Sequence, residues 1–190
     1  MYKEIDMIAD IDEYLDALAR LDNHIIIAAA KDTLVPGSLI SNLTDEEYSK
    51  LNKIGLAKLT PDNVEDQFWC GYICVVVNHK TIYEDIVLKD EAYYHMKDNG
   101  LELSILSSPH KKQNKSCIIV NGEELSVCKR GLDIVVIDEH DYSFVDSVAI
   151  DTWKDNKITR LNTIGKNKIA DADASVLADI MSRLDKFWKM

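Results

Sequence analysis

The sequence predicts an α+β fold, built mainly from antiparallel strands with short helices beside them and a C-terminal amphipathic helix. Three observations predict it. Short apolar runs are broken by turn residues, among them an Asn121-Gly122 pair that supplies the positive φ angles of a type I′ hairpin. Two segments, 7–21 and about 173–189, carry apolar residues at helical spacing. Strands and helices do not alternate as regular βαβ units.

Taken in order, Ile8, Ile11, Leu15, Leu18 and Leu21 set the apolar face of the first helix. "HIIIAAA" (24–30) is a continuous apolar run, as in strands buried on both faces, and "KDTLVPGS" leaves it as a loop. Thr44 and Glu47 form a capping box that opens a helix from about 45 to 54, which Gly55 can end. "GYICVVV" (71–77) is a second buried strand, turning at Asn78-His79-Lys80 into "TIYEDIVL". "LELSIL" (101–106) alternates, and "SCIIVNGEELSVC" holds the Asn-Gly hairpin. In "CKRGLDIVVIDEHDYSFVDSVAIDTW" (128–153), two apolar runs flank the turn at Glu139-His140-Asp141. Antiparallel pairing about that turn sets Gly131 opposite Asp151, which makes Arg130 and Asp151 near neighbours. Residues 1–165 read as one domain. Val176, Leu177, Ile180, Met181, Leu184, Phe187 and Trp188 form the stripe of a helix over 166–190 that packs on the domain, on a partner or on a second copy.

Composition bounds the function. The 190 residues are 46 % hydrophobic and 29 % charged, as in an ordinary soluble globular protein. A net charge of -11 argues against nucleic acid and anionic lipid as partners, while neutral sugars, proteins and metal ions suit it. The N-terminus is acidic where a signal peptide needs an apolar core, and no apolar run approaches the roughly 20 residues of a membrane span. The expectation is therefore a cytoplasmic protein without membrane insertion. Cys70 and Cys74 share one strand face, Cys117 and Cys128 flank the Asn-Gly turn, and neither pair has CxxC spacing. They read as four small, reduced core residues.

No GxSxG, HExxH, P-loop or GxGxxG occurs, and the five histidines are scattered. No catalytic residue, cofactor or metal ligand is assigned on these grounds. Three places hold concentrated polar chemistry. Lys31-Asp32 ends a buried strand, where ligands collect in many α/β folds, although a surface salt bridge or turn cap would look the same. Asp66-Gln67-Phe68-Trp69 sets an aromatic beside polar groups, although Trp69 also reads as core. Arg130-Gly131 and Asp151-Thr152-Trp153 bracket the last hairpin, where an Arg–carboxylate pair can brace the scaffold.

These residues carry a family resemblance. "VNGEELSVCKRGLDIVVID" followed by "SFVDSVAIDTW" resembles a strand block of the interleukin-like EMT inducer (PANDER-like) domain: an NG hairpin, an RGxN lead-in and a strand closing in FDT. "YLDALARLDNHIIIAAAKDT", "LNKIGLAKL" and "FWCGYICVVV" resemble its other block, a helix, a strand ending in kD, a helix ending at LG, and a Trp before a strand. The two blocks stand in the reverse of their order in animal members, as in domains attached to bacterial cell-surface polysaccharide and teichoic-acid transferases. RGxN is RGLD here, Ile150 stands for the Phe of FDT, and Lys58 is the basic residue nearest to the one that follows LG.

The resemblance implies an antiparallel sheet sandwich flanked by short helices. It also implies a non-catalytic sugar-binding role, because a similar stem domain of a mannose-directed N-acetylglucosaminyltransferase binds sugar through the kD aspartate, here Asp32. Asp32 would accept hydrogen bonds from sugar hydroxyls, Lys31 or Lys58 would donate, and Trp69 would stack on the pyranose. Arg130, Gly131, Asp151, Thr152 and Trp153 would serve the scaffold. The implied partner is a glycan, one containing N-acetylglucosamine among the options, or a protein of bacterial glycan synthesis. Two other readings stand beside it: a scaffold that docks by its C-terminal helix, homodimers included, and a metal-dependent enzyme gathering Asp32, Asp66 and Asp151.

Overall fold

A computed structural model describes residues 5–32, 43–60, 70–110, 112–152 and 157–161. The predicted helix over 166–190 lies outside them, as do Asp66, Trp69 and Trp153. Within them are two helices, α1 (Ile11–Leu18) and α2 (Asp45–Lys53), and ten strands. The strands are β1 (His24–Lys31), β2 (Cys70–Val77), β3 (Lys80–Leu88), β4 (Ala92–Asp98) and β5 (Leu101–Ser108), then β6 (Lys115–Val120), β7 (Glu123–Glu124), β8 (Gly131–Asp138), β9 (Phe144–Ile150) and β10 (Ile158–Arg160).

The strands form two antiparallel sheets, one ordered β10-β9-β8-β1-β2-β3 and the other β4-β5-β6-β7. Strand alternation explains the layering. Ile26, Ala28 and Ala30 of β1 face the helices with Tyr72, Cys74 and Val76 of β2 and Leu132, Ile134 and Val136 of β8. Ile25, Ile27 and Ala29 face the smaller sheet with Leu103, Ile105 and Ile118. The molecule is thus an α+β sandwich with helices on one outer face, and β1 is apolar from Ile25 to Ala30 because both its faces are covered. No helix among the described residues is long and apolar enough to cross a membrane.

The helices are placed by local rules. Asp10 caps α1 by accepting from the Glu13 amide at 3.0 Å, so the helix starts after Ile8 rather than at residue 7. The Thr44–Glu47 capping box forms as read, and Gly55 takes φ +108 where the chain leaves α2. Lys50 ties the two helices, its Nζ lying 2.8 Å from Asp12 and 3.2 Å from Asp16. Two strands escape the sequence patterns. β4 lacks clean alternation, and β10 is only three residues long. The cysteines are free, with Cys70, Cys74 and Cys117 buried and Cys128 half-buried.

At one corner the sheets meet backbone to backbone. A Cβ on Gly71 would lie 2.7 Å from the Ala92 nitrogen and 2.9 Å from the Ser107 carbonyl. The buried Ser107 hydroxyl donates to the Ala30 carbonyl at 2.6 Å and accepts the Tyr72 amide at 3.0 Å. This stitch fixes the end of β1, from which Lys31 and Asp32 emerge.

β10 is held by charge as well as by its ladder. Asp146 of β9 is buried, and Arg160 Nε lies 3.4 Å from it. The guanidinium sits 5.5 Å over the Tyr14 ring and donates to the Ile5 carbonyl at 2.8 Å. Burial raises the Asp146 pKa, against the lowering effect of Arg160. Arg160→Ala strands this carboxyl, which then takes up a proton rather than remaining charged. Urea denaturation should show a loss of about 3 kcal/mol, toward the lower end for a broken buried pair.

Candidate functional site at the end of strand β1

Beyond Lys31 the chain turns sharply. Asp32 has φ +74, a region that non-glycine residues enter seldom and Asp tolerates better than most. A bridge to Pro109 and a hydrogen bond from the His110 amide to the Asp32 carbonyl, 3.3 Å long, hold it there. The Asp32 carboxylate lies 3.3 Å from His110 Nδ1, with the two side chains 22 % and 54 % exposed. A mostly covered carboxylate beside a half-exposed imidazole therefore sits on the rim where the sheets join. Strained backbone of this kind persists only where its surroundings over-determine it, and it clusters at functional positions.

Lys31 turns to other work. Its Nζ donates to the Cys128 carbonyl at 2.9 Å and lies 3.7 Å from Cys128 Sγ. It pins the connection between β7 and β8. The same connection is held from inside by Asp133, which is fully buried. Its carboxyl accepts from the Ser116 hydroxyl and, at 3.1 Å, from the Cys128 amide. Burial pushes the Asp133 pKa up to about 7, against the lowering effect of those hydrogen bonds and of Lys31. Ser116 belongs to the small sheet and Asp133 to the large one, so this carboxyl staples the sandwich.

The hairpin bracket assembles as its spacing predicts. Arg130 grips Asp151 with two hydrogen bonds, 3.2 Å from Nε and 2.9 Å from Nη2, at about one-third exposure on each side. Gly131 faces Asp151 at φ +105, so tightly that a Cβ would overlap the Ile150 carbonyl oxygen and approach the Thr152 nitrogen at 2.9 Å. Thr152 is buried. Lys58 lies elsewhere: its amide donates to the Glu84 carboxylate at 2.9 Å and its Nζ to the Glu84 carbonyl at 2.7 Å. Glu84 pairs with Cys74 and Cys74 with Ala28, so Lys58 is anchored two strands across and four residues down from Asp32. At ordinary strand spacings that is about 16 Å.

The structure thus joins Asp32 to His110, which the sequence reading left among scattered histidines, and parts it from Lys58. Asp133 and Ser116 are further residues that the reading missed, since pairing across two sheets leaves no local trace. Among the described residues, no group of three or more His, Cys, Asp or Glu side chains is arranged to hold a metal ion. No family model, curated protein or solved structure matches the chain.

Proposed function

We propose that this protein is a non-catalytic carbohydrate-binding module acting with bacterial glycan-synthesis machinery, and that the Asp32–His110 rim is its contact with sugar. One observation carries the reading: a partly exposed carboxylate held at positive φ, 3.3 Å from a half-exposed imidazole, at the join of two sheets. A carboxylate accepts from two vicinal hydroxyls, and an imidazole donates to or accepts from a third. Lys31 supports the site through Cys128 rather than by donating to the ligand, and Lys58 stands too far away to share it.

A rim of this size supports affinities of about 1 mM to 1 μM, roughly 4 to 8 kcal/mol. Asp32→Asn is the informative change, because Asn tolerates the left-handed region as well as Asp does, so the backbone survives while the charge goes. Calorimetry against a panel of oligosaccharides, those containing N-acetylglucosamine included, should show binding that weakens roughly tenfold or more in the variant. Equal binding by both proteins would move the site away from Asp32.

A further inference from the structure

The smaller sheet stops short of the larger one. β7 has two residues, and the inner faces of β9 and β10 beyond it carry a cavity of about 240 Å³ lined by Lys129, Arg130, Ala149, Asp151 and Thr159. Ala149 and Thr159 are register partners on the inner face, so the floor is made of small side chains. Among the described residues the walls carry two cations and one carboxylate. Arg130 is locked to Asp151 by its two-pronged bond, which fixes both groups. Lys129 is exposed and makes no ion pair among the described residues.

We propose that this cavity is a second subsite, and that it takes a sugar acid, a single ring bearing one carboxylate. Size sets the first limit, since the volume lies below the roughly 300–1,000 Å³ of pockets for larger ligands. Charge sets the second: the described lining carries a net positive charge in a chain of net charge -11, so the groove draws a small anion. Asp151 sets the third. A bare anion would meet its repulsion, whereas a ligand that also carries hydroxyls donates to it and to the Thr159 hydroxyl. Position joins this subsite to the rim. Lys31 pairs with Gly131, and Gly131 faces Asp151, so the Asp32 rim and the cavity lie at one end of the sandwich. They stand two strands, about 10 Å, apart. That separation suits neighbouring units of one acidic glycan, and only this link to a longer glycan rests on the function proposed above.

Amide-resolved NMR on the full chain tests it with three probes: glucuronate, glucose and acetate. Glucuronate at millimolar concentration should move the amides of Lys129, Arg130, Asp151 and Thr159, while glucose and acetate leave them in place. Lys129→Ala, at an exposed position that does not enter the core, should weaken the glucuronate response roughly tenfold, and Asp32→Asn should leave it unchanged. The proposal is overturned if glucuronate moves none of these amides, if Lys129→Ala responds like the parent, or if acetate moves them equally. Should N-acetylglucosamine fail at Asp32 and His110 while glucuronate behaves as stated, the rim assignment falls and the subsite stands.

Discussion

Gly131→Ala should be among the most damaging single substitutions in the chain, costing about 4 kcal/mol. Two effects add. An L-residue at φ +105 carries roughly 1–3 kcal/mol of backbone strain. Its Cβ must also displace the Ile150 carbonyl and the Thr152 amide, and backbone between two paired strands gives less readily than a side chain, for roughly 1–3 kcal/mol more. Thermal unfolding should fall by roughly 8–16 °C on the scale for a domain of this size. Gly122→Ala is the control, because Gly122 also has positive φ, at +84, but nothing lies within 4 Å of its would-be Cβ. That change should cost only about 1–2 kcal/mol. Equal losses at the two sites would mean that strain alone matters and that the bracket is not tightly packed. The same substitution should disturb the Arg130–Asp151 pair and, through the Lys31–Gly131 pairing, the end of β1.

Asp133 should make the protein less stable as pH rises from about 4 to about 7. Folded, its carboxyl holds a proton up to about pH 7, whereas the unfolded chain releases it near 4. Between those limits the folded state binds more protons, so the unfolding free energy falls with rising pH. The full difference, about 3 pKa units at 1.36 kcal/mol each, amounts to roughly 4 kcal/mol and is complete above pH 7. Below pH 4 both states are protonated and the group contributes no slope. Other carboxylates act in the opposite direction: Lys97 lowers the Glu102 pKa, and hydrogen bonds from Ser143 lower that of Asp141. The clean reading is therefore the difference between parent and Asp133→Asn in urea titrations from pH 4 to 8. Asn keeps the shape, accepts the Cys128 amide and donates to the Ser116 hydroxyl without carrying charge. The variant should overtake the parent as pH rises, and parallel curves would show that Asp133 is ionised in the folded protein throughout.

Much of the fold could be read along the chain because its signals are local. The Thr44–Glu47 box, the Asn121-Gly122 turn and the apolar runs of β1, β2, β8 and β9 all act within a few residues, and all form. What failed was local signal diluted or absent. In β4, Tyr93, Tyr94, His95 and Met96 are all half-buried, because Tyr94 stacks on Tyr83 of β3 at the open side of the sandwich, so no alternation survives. β10 is defined by its ladder to β9 and by Arg160 reaching Asp146, neither of which has a period.

The candidate site divides along the same line. Arg130 with Asp151 was legible, since one hairpin register brings them together. Asp32 stood out as a charge at the end of a buried strand, but its partner His110 follows β5 in the other sheet and no spacing rule connects them. Lys31 and Lys58 read as ligand donors on different grounds, Lys31 from its place beside Asp32 and Lys58 from the basic residue that the family resemblance sets after LG. Their ammonium groups donate to backbone carbonyls, at Cys128 and at Glu84, which no spacing along the chain foretells. Asp133 was hidden most deeply, as one polar residue leading into an apolar strand. Only the sandwich shows that it faces inward and meets Ser116.

The claim that the Asp32–His110 rim binds sugar is tested most directly by titrating the labelled full chain with N-acetylglucosamine and following every backbone amide. Sugar binding at the rim should give fast-exchange shifts at millimolar ligand, centred on Lys31, Asp32 and His110 and fading along β1 and β5. It is contradicted if no amide moves at that concentration, or if those that move lie away from the end of β1.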